Sequence, residues 1–229
     1  MLVSYGPEKN TPSDGFDSLS SYQLTKNQKH YLVFKRILDI IFSGIAIVIL
    51  SPVFAVISLV IKIDSPGPVL FRQKRIGKNK TTFEILKFRT MRTDTPKDMP
   101  THLLNNPEQY ITKIGRFLRI TSLDELPQIF NIFTGKMSII GPRPALWNQY
   151  DLIEKRDEYN ANSISPGLTG WAQINGRDEL EIDVKAYLDG EYMKKLGFLM
   201  DVKCLFGTII SVFKRDGVVE GGITNIQKK

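Results

Sequence analysis

Thiols and imidazoles are almost missing from this chain. Of 229 residues one is cysteine, Cys204, and two are histidine, His30 and His102. A single thiol excludes an internal disulfide framework and suits a reducing compartment. The histidines stand far apart with no cysteine near either, so the usual spacing of a zinc site is absent. An internal repeat is also missing, as is a second membrane-length apolar run. A cleaved signal peptide is not expected: the one apolar run starts late, is too long for an h-region and lacks a small-residue cleavage site. Chemistry must therefore rest on carboxylates and basic side chains.

Positive charge is what the chain has in excess. Net charge is +7 with a sequence pI near 9.4, so an anionic partner is the first expectation, whether nucleic acid, lipid headgroups or a phosphorylated small molecule. Between Lys62 and Arg92 nine Lys/Arg face two acids, an excess equal to that of the whole chain. This basic segment follows directly on the apolar run.

The run itself, Ile40 to Ile61, is 22 residues without a charge. As a helix it would measure roughly 33 Å, close to the ~30 Å hydrocarbon core of a bilayer. Both flanks are basic, with Lys35 and Arg36 before it and Lys62 after it, so neither is suited to the outer side. Ser51 and Pro52 interrupt it near the middle. Proline removes one helical N–H, orphaning the Val48 carbonyl, and the Ser51 hydroxyl can reach back toward Ile47 and bend the helix. Two readings follow: a kinked spanning helix, since proline is tolerated in membranes, or two half-helices that enter and leave one leaflet. Charge and hinge together favour the re-entrant hairpin.

Residues 1 to about 30 read as a polar mobile arm. "VLFRQKRIGKNKTTFEILKFRTM" alternates around Gly77 as a β-hairpin, which puts Lys87 and Arg89 on one face. Helical spacing returns in "ITKIGRFLRI", in "TSLDELPQIFNIFTG" closed by Gly135, and from Glu179 to Phe213. "MSIIGPRPAL" is a short strand running into a corner fixed by Pro142 and Pro144, which aims Arg143 at small entropic cost. "SPGLTGWAQINGR" is a glycine-rich loop in which Gly167, Gly170 and Gly176 would let backbone approach a ligand.

Asp124 and Glu125 are the candidate acids. Asp124 as a helix N-cap, with Pro127 in the first turn, is a sufficient structural role. The functional alternative places an ionised carboxylate at a phosphate-binding helix tip, five residues after Arg119, poised for attack on phosphorus. Two adjacent acids also suit Mg²⁺.

Five long motifs, "KRILDIIFSGIAIVILSPVF", "DSPGPVLFRQKRIG", "FEILKFRTM", "TKIGRFLRITSLDELPQIFNIFTGKMSIIGPRP" and "SPGLTGWAQINGR", resemble those of the bacterial sugar transferases, the monotopic polyprenyl-phosphate phosphoglycosyl transferases. The resemblance implies an α/β, mostly helical, monotopic membrane protein. Its parts would be a polar arm (1–33), a re-entrant hairpin broken at Ser51-Pro52 (34–63), a catalytic domain (64–216) with an interfacial helix at about 196–214, and a tail (217–229). It implies transfer of a phosphosugar from a UDP-sugar donor to a polyprenyl phosphate acceptor, releasing UMP, at the cytoplasmic face of the bacterial inner membrane among membrane lipids. Asp124 would be the nucleophile, and Glu125 would help hold Mg²⁺ and the nucleophile. Lys87, Arg119, Arg143 and Arg177 would contact phosphate. Nucleic acid is not an expected partner, and homo-oligomerisation is left open. The rival expectations are a non-enzymatic nucleic-acid binder using the basic segment, and a membrane-anchored scaffold in a glycan-assembly complex.

Overall fold

The computed structural model describes residues 22–96, 106–176 and 180–214. The expected arm (residues 1–21 of it), Arg177 and the tail from residue 217 lie outside these residues. What is described mixes helix and strand and is mostly helical.

Helix α1, Lys26–Asp64, opens at Thr25 through a capping box: the Thr25 hydroxyl accepts from the Gln28 N–H at 3.3 Å, and Gln28 Oε1 accepts from the Thr25 N–H at 3.0 Å. It therefore starts before the expected boundary at residue 34. It ends before Ser65-Pro66, where the residue preceding proline is pushed to extended backbone (φ −154°, ψ 143°). The two expected half-helices are one helix, with Pro52 inside it. The Ser51 hydroxyl donates to the Val48 carbonyl at 2.8 Å, the one Pro52 orphans, and not to Ile47 as expected.

The burial of α1 inverts the soluble pattern. Lys35, Asp39 and Ser43, four residues apart, are buried against the rest of the chain. Val33, Ile37, Ile41 and Ile45 face outward. Val48 and Ile49, beside the Ser-Pro pair, are 73% and 67% exposed. Tyr31 and Leu32 pack on the core near the start of the helix, and beyond the proline Phe54, Ile57 and Ile61 join Phe88 and Leu118. This is the one described helix long and apolar enough to cross a membrane.

Strands β1 (Leu70–Ile76) and β2 (Thr82–Phe88) form the expected antiparallel hairpin, with Phe71 opposite Lys87. Its turn is longer than Gly77 alone, a 3₁₀ turn at Lys78–Lys80 in which Asn79 and Lys80 take positive φ. Helix α2 (Lys113–Ile120) is capped by the Thr112 hydroxyl. A 3₁₀ turn at Leu123–Glu125 precedes α3 (Gln128–Phe133), and β3 (Ser138–Ile140) follows. Beyond it come α4 (Tyr150–Glu158), β4 (Gly167–Thr169), α5 (Trp171–Ile174), α6 (Ile182–Lys194) and α7 (Phe198–Lys214).

β4 pairs parallel with β3, Ser138 opposite Gly167 and Ile140 opposite Thr169. Here the glycine-rich loop departs from expectation. A Cβ on Gly167 would stand 2.1 Å from the Gly141 nitrogen, and one on Gly170 would stand 2.1 Å from the Gly141 oxygen. These glycines admit backbone to backbone, at the corner leading to Arg143, rather than backbone to ligand. The main core lies behind β3, where Ile140, Ile164, Tyr192, Met193, Leu196, Met200 and Cys204 meet. Helix α7 buries Met200, Asp201 and Cys204 and exposes Leu199, Phe206 and Ile210, an amphipathic face.

Candidate active site

The acids sit on the turn between α2 and α3. Ser122, at φ 55°, reverses the chain after α2, and the 3₁₀ hydrogen bonds Glu125 N–H to Ser122 O (3.3 Å) and Leu126 N–H to Leu123 O (3.3 Å) fix Asp124 and Glu125. Asp124 is thus not the helix N-cap that local pattern suggested; Pro127 occupies that place. The Asp124 carboxylate is 4% exposed. A surface acid seldom sits so deep without a task.

Two of the expected basic residues arrive from distant elements. Lys87, from β2, donates to Glu125 Oε1 at 2.7 Å, and its ammonium lies 3.9 Å from Asp124 Oδ2. Arg143, beyond β3, donates through Nη2 to the same Glu125 oxygen at 2.8 Å. Burial by itself would raise the Glu125 pKa. Arg143 and Lys87 overcome that and hold the carboxyl well below the usual range, so Glu125 is ionised at neutral pH.

Arg119 is buried in the last turn of α2, its carbonyl accepting from the Ser122 N–H at 3.0 Å. It lies at the base of the turn that carries the acids. Arg177 lies outside the described residues. Arg89, expected on one face with Lys87, parts from it: its guanidinium donates to the Pro66 and Ser65 carbonyls, at the C-terminal end of α1.

Sequence reasoning missed the side chains that position this cluster. Asn131 docks α3 on β2, accepting at 2.9 Å from the N–H of Leu86, one residue from Lys87, and donating to the Glu84 carbonyl at 2.8 Å. Arg75 donates to the Pro144 carbonyl at 3.1 Å and the Ile76 N–H to the Ala145 carbonyl at 2.9 Å, bracing the corner around Arg143. Neither role has a local signal, because each depends on a partner at least 45 residues away in sequence.

The basic segment is consequently not a continuous belt. Lys87 meets the acids, Arg89 caps α1, Arg75 braces a corner and Lys80 pairs with Asp157 at 2.8 Å. Lys78 and Lys80 lie at the far tip of a hairpin of about 23 Å, at roughly 3.3 Å per strand residue. A surface cleft lined by Asp151, Glu154, Lys155, Glu158, Ile182 and Asp183 contains none of the candidate residues. Nor is Cys204 a rival nucleophile, since burial first and Asp201 second push its thiol up to about 12.

Two adjacent carboxylates are a donor set of the kind Mg²⁺ takes, while Lys87 and Arg143 already neutralise part of their charge. The ion takes one or two carboxylate oxygens and completes its shell with phosphate oxygens and water. Glu125 Oε1 is shared by Lys87 and Arg143, and the Lys87 ammonium also lies beside the Asp124 carboxylate. No third His, Cys, Asp or Glu joins them among the described residues.

A long helix apolar enough to anchor in a membrane, two acids on a tight turn met by Lys87 and Arg143, and an Arg held between prolines are the features that place this chain among known proteins. The sequence profile of the bacterial sugar transferases matches residues 30–215, and the chain belongs to that family. It is 41% identical over 188 residues to the UDP-glucose:undecaprenyl-phosphate glucose-1-phosphate transferase of Escherichia coli K12, covering 78% of this chain and 40% of that one. It is 33% identical to the undecaprenyl-phosphate galactose phosphotransferase of Salmonella typhimurium, covering 85% and 43%. The exopolysaccharide production protein PSS of Rhizobium leguminosarum is 39% identical, with 80% and 97% covered. The chain spans about two-fifths of the length of the first two relatives and nearly all of the third.

Proposed function

We propose that the protein transfers a phosphosugar from a UDP-sugar to undecaprenyl phosphate, as the initiating step of an extracellular or capsular glycan. The observation that carries this reading is the convergence of Lys87 and Arg143 on half-buried Glu125, beside buried Asp124. A Asp124 carboxylate oxygen attacks the sugar-linked phosphorus of the donor. The bond from that phosphorus to the bridging oxygen breaks, and UMP leaves with the electron pair. An oxygen of the acceptor phosphate then attacks the same phosphorus and displaces Asp124, giving polyprenyl-diphosphate sugar and the free carboxylate. Lys87 and Arg143 screen the negative charge of the diphosphate and hold Glu125 ionised beside it, and Arg119 and Arg177 are further phosphate contacts. Asp124 and Glu125 would hold Mg²⁺, which when bound neutralises charge on the diphosphate.

The membrane setting supports the same reading. Both halves of α1 pack on one domain: Asp39 accepts from the Ile139 N–H at 3.0 Å, while Asp64 accepts from the Ile114 N–H at 3.2 Å. A helix held to one domain at both ends, with its apolar middle exposed, suits entry and exit through a single leaflet about Ser51-Pro52. Phe117 and Ile120 before the acids, and Phe130 and Phe133 after them, are outward-facing, as is the apolar face of α7. These surfaces would seat the domain of residues 64–216 at the cytoplasmic face of the inner membrane, level with the acceptor phosphate.

Incubating the protein with UDP-glucose and Mg²⁺ without acceptor is expected to release one equivalent of UMP and leave a phosphosugar on Asp124, read by mass spectrometry. Asp124→Asn is expected to abolish both. Normal turnover in that variant would overturn the nucleophile assignment, and absence of UMP release by the wild type from any UDP-sugar would leave a scaffold as the better reading.

A further inference from the structure

Helix α1 also grips the segment that runs from Glu125 to Arg143. Arg36 donates through Nη1 to the Ile132 carbonyl at 2.6 Å and through Nη2 to the Phe133 carbonyl at 2.8 Å. These lie at the C-terminal end of α3, where the Ile132 carbonyl also accepts from the Gly135 N–H at 3.0 Å. The guanidinium lies over Gly135, whose Cβ, if present, would stand 3.2 Å from Nη2. One turn further along α1, Asp39 is 4% exposed, and its Oδ1 accepts from the Ile139 N–H at 3.0 Å. Two side chains of one helix thus hold the last turn of α3 and the middle of β3.

What lies outside those two points decides the consequence. Glu125 precedes α3 by three residues and Arg143 follows β3 by three, and the two meet at 2.8 Å. The segment joining them is therefore fixed at two points, both on the helix that the bilayer would orient. The neighbouring Lys35 pairs with Asp201, so the positive charge of this flank is bound within the protein rather than presented to headgroups.

We propose that Arg36 and Asp39 are positioning residues: they set where Glu125 and Arg143 meet, and so make the geometry of the site depend on how α1 is seated. The proposal rests on the transferase reading above for its kinetic readout and on the fold alone for its exchange readout.

The test uses the full chain in lipid nanodiscs, with Asp39→Asn, Asp39→Leu, Arg36→Lys and Arg36→Met. Asparagine keeps an oxygen acceptor for Ile139, and leucine does not. Asp39→Asn is expected to stay within about threefold of wild-type kcat. Asp39→Leu and Arg36→Met are expected to lose at least about tenfold in kcat with the KM for UDP-glucose within about threefold and membrane retention after a high-salt wash unchanged. Arg36→Lys, with one ammonium for two carbonyls, is expected to fall between. Hydrogen exchange in peptides covering residues 138–145 is expected to quicken about tenfold in Asp39→Leu and not in Asp39→Asn. Equal kcat loss in the Asn and Leu variants would make charge, not position, the cause. Loss in step with membrane retention would make Arg36 a headgroup anchor. Wild-type kcat in Asp39→Leu, or unchanged exchange, would overturn the proposal outright. If wild type releases no UMP from any UDP-sugar, the transferase reading fails, and exchange still decides whether α1 holds the segment.

Discussion

Glu125 is the residue on which the local electrostatics turn. It shares one oxygen between an ammonium at 2.7 Å and a guanidinium at 2.8 Å. Without its charge, two cations would face each other across a neutral group. Removing one partner of a buried ionic cluster costs about 3–5 kcal/mol, and less where, as here, some solvent reaches it. Glu125→Gln is expected to lower stability by about 1–3 kcal/mol at pH 7 in denaturant titration. The sign of the pH dependence follows from linkage. The folded pKa lies below the unfolded value of about 4.3, so this contribution is complete above that pH and is lost as acid protonates the carboxyl. Stability should therefore fall less steeply below pH 4 in Glu125→Gln than in wild type, about pH 4 being the unfolded carboxyl range.

Among the elements, the β3–β4 pair shows how a corner is made rigid. Proline on both sides of Arg143 was visible in sequence, and both proline carbonyls accept hydrogen bonds, from the Gly167 N–H at 2.9 Å and from Arg75 at 3.1 Å. The closeness of β3 to the glycine-rich loop was not visible, and it changes what those glycines are for. Gly167→Ala would drive a methyl group into the Gly141 backbone, where nothing can rotate away. Overpacking of this kind typically costs about 1–3 kcal/mol, so a fall in thermal midpoint of several degrees and weakened transfer through a displaced Arg143 are expected. Most helices and the hairpin were legible because their patterns close within a few residues. The same local rules misjudged Asp124, which local pattern made an N-cap. Pro127 itself takes the N-cap place, and the acids are left on a separate 3₁₀ turn.

For the molecule as a whole, the decisive feature is that both ends of α1 return to one domain. With Lys29→Cys and Lys62→Cys placed singly, an impermeant maleimide is expected to label both only from the cytoplasmic side of sealed vesicles; both are exposed at the surface. Cys204 is buried and its thiol is protonated at neutral pH, so background labelling is low. Labelling of residue 29 from the outer side would mean that the helix crosses. Pro52→Ala restores the missing N–H and is expected to shift the population toward crossing, read by the same reagent.

The sequence by itself determined the membrane-length run with its Ser-Pro interruption, the order of the elements, the acid pair and the chemical character of what it handles. Each of these is written in consecutive residues or in a regular period. Only the tertiary structure decided which cations meet the acids, that glycines serve packing, and that α1 turns its polar stripe inward onto β3 and α7. Lys87 and Arg143 reach Glu125 across 38 and 18 residues of chain, and Asp39 reaches Ile139 across 100. Contacts over such separations are fixed by how whole elements pack, so no local spacing can encode them.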